Sequence, residues 1–337
     1  MHISETNMQT VFFFRKANAP WHHSIEELFD TILAALPPSV VPVRYVMKKN
    51  SIGLWKRLYN TIDAAWHQGE VNHITGDIHY VAILMRKRKT ILTIHDLRIL
   101  SSEGKFRIAV IRFFWFTLPA IRVRYITVIS EFIKKELIAM TGIKESKVLV
   151  VHDCISPEII PTPREFNASR PVILQIGTTQ NKNLHRVIPA LTGLDITLVI
   201  IGKLTDEHIQ LLRENQIEYK NHFNLPYQEV LEQYREADIV LFASLYEGFG
   251  LPILEANAVG RPVITGNNTS LPEVAGDAAL IIDVESVTAI REAVIRLIHD
   301  EPLRIRLINN GFENIKRFHP QTIGNKFAHI YEQITGK

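Results

Sequence analysis

Glu247 and Glu255 stand eight residues apart in the stretch SLYEGFGLPILEANAVGRPV, residues 244–263. Two glycines, an aromatic ring and a proline lie between them. The apolar run before the pair, Ala237–Phe242, predicts a buried strand. Ile253–Val259 predicts a helix with Pro252 at its first position, where a fixed φ suits the opening turn. Gly248 and Gly250 then fall in a strand-to-helix turn, where a missing Cβ lets backbone N–H groups approach a ligand. A helix N-terminus at the carboxyl end of a parallel strand favours an anion. Carboxylates at such a place are poor phosphate ligands but good acceptors for hydroxyls. The pattern therefore suits a molecule with both phosphate and polyol, a nucleotide-sugar. The plainer reading is two exposed glutamates favoured by the helix dipole, although a plain helix start needs no pair of glycines.

Four further places carry chemistry of their own. The turn Gly177-Thr178-Thr179-Gln180-Asn181-Lys182-Asn183-Leu184 joins a strand to a helix and offers backbone, hydroxyls and one ammonium to a diphosphate. It is not a P-loop, and a capped helix start with a solvated lysine is the alternative. Thr93-Ile94-His95-Asp96-Leu97 puts an imidazole at the end of an apolar strand, as His152-Asp153 does after Val148–Val151. His95 reads either as a site residue or as a hydrogen-bonded structural histidine. Trp21, His22 and His23 read as acceptor-side candidates or as a surface loop, and Ser130 as a further acceptor-side candidate or the N-cap of the next helix. Residues 105–116 mix cations and aromatics at near-helical spacing, fitting an interfacial helix or a core helix edged with arginine.

Absences narrow the chemistry. The chain has no Asp-x-Asp triplet to seat a divalent ion on a diphosphate, and no CxxC, HExxH or GxSxG. Charge on a leaving diphosphate must then be met by lysine, hydroxyls and backbone N–H groups, with no metal and no cofactor expected.

These turns need a scaffold. In the second half, continuous apolar strands at 171–177, 196–202, 239–242 and 262–265 alternate with helices at 184–191, 205–215, 228–236 and 253–259. That alternation implies a parallel sheet covered on both faces, a doubly wound α/β domain. The first half repeats the pattern less cleanly, with strands at 11–14, 41–45, 71–74, 90–94, 126–129 and 148–151. Ser24 and Glu27 form a capping box opening a helix over 24–36, and Gly142 ends another over 131–140. The proline-rich stretch 157–171 is the expected linker, between a first domain over 1–160 and a second over 166–318. A cleft between the carboxyl ends of the two sheets is the expected ligand site. Residues 319–337 are expected as a terminal amphipathic helix.

With 337 residues the chain has room for two domains, and 46% hydrophobic with 22% charged residues is ordinary globular composition. A single cysteine, Cys154, rules out an internal disulfide framework and fits a reducing compartment. No secretory signal is visible, and no apolar run nears the roughly 20 residues that span a bilayer. The net charge of +3 is uneven: 22 Lys and Arg face 15 Asp and Glu in residues 1–165, but 16 face 20 in 166–337. The basic half suits an anionic surface partner or a merely solvated face.

EGFGLPILEA closely resembles the E-x7-E motif of retaining GT-B glycosyltransferases of family 4. VILQIGTTQNKNL resembles that family's diphosphate turn, ILTIHDL its histidine motif, TVISEFIKKEL the strand and helix after it, and TSLPEVAGDAALIID the stretch after the glutamate motif. The likeness is dense over residues 71–285. It implies two Rossmann-like domains facing each other, acceptor-binding over 1–160 and nucleotide-sugar-binding over 166–318, with the terminal helix crossing back to the first. Glu255 would bind donor ribose hydroxyls and Glu247 the hydroxyls of the transferred sugar, as a catalytic residue beside His95. Gly248, Phe249, Gly250 and Leu251 would offer backbone N–H groups, Gly177 and Thr178 would line the diphosphate turn, and Lys182 would neutralise the phosphates. His95 would sit near the anomeric carbon and sugar O6. The family often carries an arginine just before the diphosphate lysine, where this chain has Thr178, Thr179, Gln180 and Asn181, so Lys182 bears more of the charge. The glycine-rich loop frequent after the family's first strand is here Arg15–Trp21.

The resemblance implies a metal-independent, retaining hexosyltransferase. It would move a sugar from a UDP- or GDP-sugar to a glycan or lipid-linked hydroxyl in cell-surface polysaccharide or lipopolysaccharide biosynthesis. No nucleic-acid partner is expected. The location expected is the cytoplasm, with peripheral contact on the inner face of the membrane. Base selectivity would rest on Phe223–Tyr227. A nucleotide-sugar 2-epimerase of the same architecture and a non-catalytic nucleotide-sugar binder are the competing readings.

Overall fold

The computed structural model describes residues 7–16, 24–97, 108, 109 and 111–336. The chain divides into two compact units. Residues up to Cys154 join those from Pro320 onward in unit 1, and Ile155–His319 form unit 2. The stretch 157–171, read from composition as a linker, belongs to unit 2. There Asp238 accepts from Arg164 Nε at 3.1 Å and from the Asn167 N–H at 3.2 Å, and Arg261 donates to the Thr162 carbonyl at 2.9 Å.

Unit 1 is built on strands β1 (Met8–Phe14), β2 (Val40–Val46), β3 (Val71–Ile74), β4 (Thr90–Ile94), β5 (Tyr125–Val128) and β6 (Val148–Val150). They pair in parallel in the order β2-β1-β3-β4-β5-β6. Every residue of β3 and β4 is buried, as in strands covered on both faces, the polar Asn72, His73, Thr90 and Thr93 included. The helix Pro320–Thr335 packs its Ile323, Phe327, Ala328 and Tyr331 into the same core as Met8, Phe12, Phe14 and Phe29. Gly324 makes the approach possible, because a Cβ there would stand 2.5 Å from the Ala35 carbonyl oxygen. Tyr331 is fully buried, and its hydroxyl meets His73 Nδ1 at 2.7 Å. His73 Nε2 continues to the Thr93 hydroxyl at 2.7 Å, which meets Thr127 at 2.7 Å.

Unit 2 repeats the plan with β7 (Val172–Ile176), β8 (Thr197–Ile201), β9 (Tyr219–His222), β10 (Ile239–Phe242), β11 (Val263–Gly266) and β12 (Leu280–Ile282). All pairs are parallel, in the order β12-β11-β10-β7-β8-β9. The chain winds one way from β7 and the other way from β10, so the switch point lies between these two strands. In open α/β sheets that is where the carboxyl-end loops part and a ligand fits. The loops after β7 and β10 are the two turns picked out by the motifs.

Candidate functional site

The loop from Ala243 to Gly250 leaves β10 and enters the helix Leu251–Val259, which starts at Leu251 with Pro252 in its first turn. Gly250 has φ of +122°, a conformation that L side chains rarely adopt, and a Cβ would stand 3.2 Å from Leu271 Cδ2. The loop backbone is held by side chains from neighbouring segments. Asn183 Nδ2 donates to the Ala243 carbonyl at 3.0 Å and to the Val284 carbonyl at 2.8 Å. Asn268 Nδ2 takes the Ser244 and Leu245 carbonyls at 3.2 and 2.7 Å, and Asn181 Nδ2 takes that of Tyr246 at 3.0 Å. The Ser270 hydroxyl lies 2.9 Å from the Glu247 carbonyl and 2.7 Å from that of Phe249. A loop with its carbonyls tied outward in this way keeps one backbone shape without a ligand, which is the preorganisation a binding turn needs.

The turn after β7 packs against it. Gly177 has φ of +86°, and a Cβ there would stand 2.8 Å from Lys182 Cε, so the lysine stem runs across this glycine. The Thr178 hydroxyl donates to the Lys203 carbonyl at 2.7 Å, with its methyl 2.7 Å from where a Cβ on Gly202 would stand. Lys182 Nζ stands 2.6 Å from Glu247 Oε1 and 4.6 Å from the centre of the Phe242 ring. Both partners of that ion pair keep about 15% of their side-chain surface exposed (16% and 15%), so it is partly desolvated yet open to a ligand.

Glu255 has a different setting. It lies on the helix Leu251–Val259 against Tyr227 and Tyr234 of the helix Tyr227–Glu236. Tyr234 donates to Oε2 at 2.5 Å and Tyr227 to Oε1 at 3.1 Å. Burial raises the Glu255 carboxyl above its ordinary value, and the two tyrosine hydrogen bonds pull it back down. The tyrosine hydroxyls are in turn pushed upward, first by burial and then by the glutamate charge. One bond per carboxylate oxygen leaves acceptor capacity on each for a further hydroxyl. Phe249 is buried edge-on against Phe318, with ring centres 5.7 Å apart.

In unit 1, His95 follows β4. Its Nε2 donates to the Thr75 carbonyl at 2.9 Å, and its Nδ1 faces Asp153 Oδ1 at 3.7 Å. Gly76, at φ of +139°, leaves room for the ring, since a Cβ would stand 2.9 Å from His95 Cδ2. Burial raises the Asp153 carboxyl, while His95 and His152 lower it. Ser130 is buried, and its hydroxyl accepts from the Ile133 N–H at 3.2 Å, so it caps the helix Glu131–Thr141. Trp21, His22 and His23 lie outside the described residues, as do the side chain of Ser24 and residues 105–107 and 110. In the rest of the 105–116 stretch Trp115 packs on Tyr80 and Phe116 is buried, while Phe113 and Phe114 are exposed. Among the described residues no three His, Cys, Asp or Glu cluster as metal ligands, and no helix is long and apolar enough to cross a membrane.

The structure brings Lys182, Glu247 and the loop 243–250 together and seats Glu255 on the adjoining helix. Reading the sequence missed the tyrosines on Glu255, although Tyr227 and Tyr234 stand seven apart on one helix and so share a face. It also missed Asn181, Asn268 and Ser270, whose work becomes visible only when the loops meet.

Residues 158–314 match the sequence model of a family described as Glycosyl transferases group 1. That segment fills nearly all of unit 2. The O-antigen chain mannosyltransferase B of Escherichia coli is 29% identical over 234 residues, 63% of this chain and 61% of that protein. The chain therefore matches less than two thirds of that relative's length. The O-antigen chain mannosyltransferase RfbU of Salmonella typhimurium is 24% identical over 263 residues, covering 74% and 72%. Among solved structures, Anabaena Alr3699/HepE in complex with UDP and glucose superposes with a TM-score of 0.77 at 15% identity, over 97% of this chain and 100% of that one. Two parallel six-stranded sheets with this neighbour define a GT-B fold.

Proposed function

We propose that this chain is a retaining, metal-independent glycosyltransferase that moves a sugar from a nucleoside diphosphate donor to a hydroxyl of a polysaccharide or lipid-linked glycan. The reading is carried by one observation. At the switch point of unit 2 a lysine and a glutamate, Lys182 and Glu247, face each other across the two turns that the fold dedicates to a ligand. A diphosphate entering there gives Lys182 a second anionic partner, and the helix N-terminus at Leu251 adds its partial positive charge. Glu247, relieved of the ammonium, accepts hydrogen bonds from the transferred sugar. Glu255, held by Tyr227 and Tyr234, accepts from the ribose hydroxyls. Backbone N–H groups over 248–251 take the oxygens that gain charge as the sugar leaves. His95 is assigned the contribution of unit 1 to turnover, oriented through Thr75 and Asp153. The leaving diphosphate itself helps take the proton from the incoming hydroxyl, so no protein nucleophile is required.

Relatives named as O-antigen chain mannosyltransferases favour mannose as the sugar and a cell-surface polysaccharide as the destination. A neighbour solved with UDP and glucose keeps a UDP-sugar beside a GDP-sugar as donor. The basic excess of the first half supports peripheral contact with an anionic membrane that carries the acceptor. The test is transfer from UDP- and GDP-sugars to lipid-linked acceptor by the wild type, Lys182→Ala and Glu255→Ala. Each substitution is expected to lower turnover by about 100-fold or more. Near-normal turnover in both variants would remove the assignment.

A further inference from the structure

The helix Leu54–Trp66 in unit 1 is inside out. Its buried side chains are Asn60, Thr61, Asp63 and Ala64, three of the four polar. Its exposed side chains include Leu54, Trp55, Leu58, Tyr59, Ile62 and Trp66. At 100° per residue those six fall within an arc of about 140°, so they form one continuous stripe along the helix. A surface helix normally turns such a stripe to the core. Here Trp66, Trp55 and Leu54 are 82%, 79% and 77% exposed, and Ile52, just before the helix, is 64% exposed.

The reversed face is stable because it is fully bonded. Asn60 donates to the Lys49 carbonyl at 2.8 Å and to Tyr80 Oη at 3.1 Å, and accepts from the Lys49 N–H at 3.2 Å. Asp63 accepts from Tyr45 Oη at 2.6 Å and from Lys48 Nζ at 2.9 Å. Thr61 donates to the Arg57 carbonyl at 2.8 Å. The fold therefore holds the helix by its polar side and leaves the apolar stripe outward, where a patch of this kind marks an interaction surface.

Charge and composition select the occupant. Over residues 44–68 five cations, Arg44, Lys48, Lys49, Lys56 and Arg57, face one anion, Asp63. Lys48, Lys49 and Lys56 are exposed beside the stripe, with Lys49 over the Tyr59 ring. Arg57 lies over Trp115, next in sequence to the exposed Phe113 and Phe114. Tryptophans at both ends of an apolar stripe with basic flanks suit a boundary where one side is hydrocarbon and the other is wet and anionic. We infer that the helix Leu54–Trp66 is the membrane-docking surface of this protein, lying flat in the headgroup layer of an anionic bilayer with Trp55, Ile62 and Trp66 inserted. This deepens the membrane contact proposed above by giving it a place, and it rests on no part of the sugar-transfer reading.

The test uses the full chain and vesicles of phosphatidylcholine mixed with phosphatidylglycerol, with pure phosphatidylcholine as the comparison. The wild type should sediment with the anionic vesicles, less so at high salt or without phosphatidylglycerol. The triple variant Trp55→Gln/Ile62→Gln/Trp66→Gln should lose about tenfold or more in partitioning. Its circular dichroism and its thermal shift with UDP and GDP should match the wild type, since the replaced side chains are exposed. Unchanged partitioning of that variant overturns the inference. So does a wild type that ignores the vesicles but runs as a dimer that the triple substitution dissolves, which gives the stripe to a second copy. If Phe113→Ser/Phe114→Ser releases the chain and the triple variant does not, the membrane contact stands and this helix is not its seat.

Discussion

The ion pair between Lys182 and Glu247 makes a prediction with opposite signs at its two ends. Lys182 Nζ sits 2.6 Å from Glu247 Oε1, so an incoming diphosphate competes with a carboxylate already in place. Lys182→Met removes one charge-assisted hydrogen bond to phosphate, worth about 1.5–3 kcal/mol, and leaves a partly buried carboxylate beside the anion, for a loss of roughly 2–4 kcal/mol. Nucleotide affinity should then fall by roughly 30- to 1,000-fold. Glu247→Gln removes the competitor, so affinity for a bare nucleoside diphosphate should hold or rise by up to about fivefold, given the roughly 0–1 kcal/mol typical of a solvent-accessible pair. Transfer should nevertheless fall by about 100-fold, because the sugar loses a charged two-oxygen acceptor and meets an amide N–H2 donor in place of one oxygen. The double variant should bind nucleotide better than Lys182→Met alone, since the repelling carboxylate is gone. Isothermal titration with UDP and GDP across the four proteins gives the coupling energy directly. If Glu247→Gln weakens nucleotide binding as much as Lys182→Met does, and the cycle shows no coupling, the proposed division of labour fails.

Three further outcomes are expected. Glu255 has a folded-state value raised by burial above its ordinary 4.5 and lowered by its tyrosine bonds, so donor affinity should be lost on acidification at a pH above the usual carboxylate range. Tyr234→Phe removes one lowering bond, so that acid limb should move further up; an unmoved limb in a pH series of nucleotide titrations would break the link. Burial lowers His73 from 6.5 to about 3, so the unfolded chain binds its proton first. Stability from this group is then complete above pH 6.5 and lost as pH falls toward 3, and His73→Leu should flatten that part of a urea-denaturation pH profile. Gly324→Ala places a methyl 2.5 Å from the Ala35 carbonyl and should cost about 1–3 kcal/mol, read as a lower melting temperature with unchanged nucleotide binding.

The strands were legible because both sheets bury them on two faces, which favours runs such as Ile196–Ile201 and Thr90–Ile94, built of β-branched and aliphatic residues with no charge. Edge strands escape that rule. β9 reads Tyr219-Lys220-Asn221-His222 and is largely exposed, and β12 has only three residues, so neither carries a periodic signal. The helix Leu54–Trp66 was invisible for the opposite reason. Its amphipathic pattern is strong, but the buried stripe is the polar one, and a sequence cannot say which stripe faces in. Residues 157–171 read as a linker because prolines dominate them, whereas Asp238 and Arg261, far along the chain, lace them to unit 2.

The candidate site divides along the same line. Lys182, Glu247 and the glycines announce themselves, because each stands at the end of a recognisable strand with a residue type that the local geometry demands. Their supports do not. Asn181, Asn183 and Asn268 are unremarkable loop amides until β7 and β10 lie side by side, when they bind the carbonyls of the loop 243–246. The same juxtaposition separates two glutamates that the motif presents as a pair. Glu247 belongs to the loop and meets a cation; Glu255 belongs to the helix and meets two phenols. An ammonium can be exchanged for a phosphate, so the first carboxylate is made available by ligand arrival. The phenols stay with the second and fix its orientation before any ligand comes. Identical side chains eight residues apart thus differ in when they become available, and that difference follows from which secondary-structure element each one occupies.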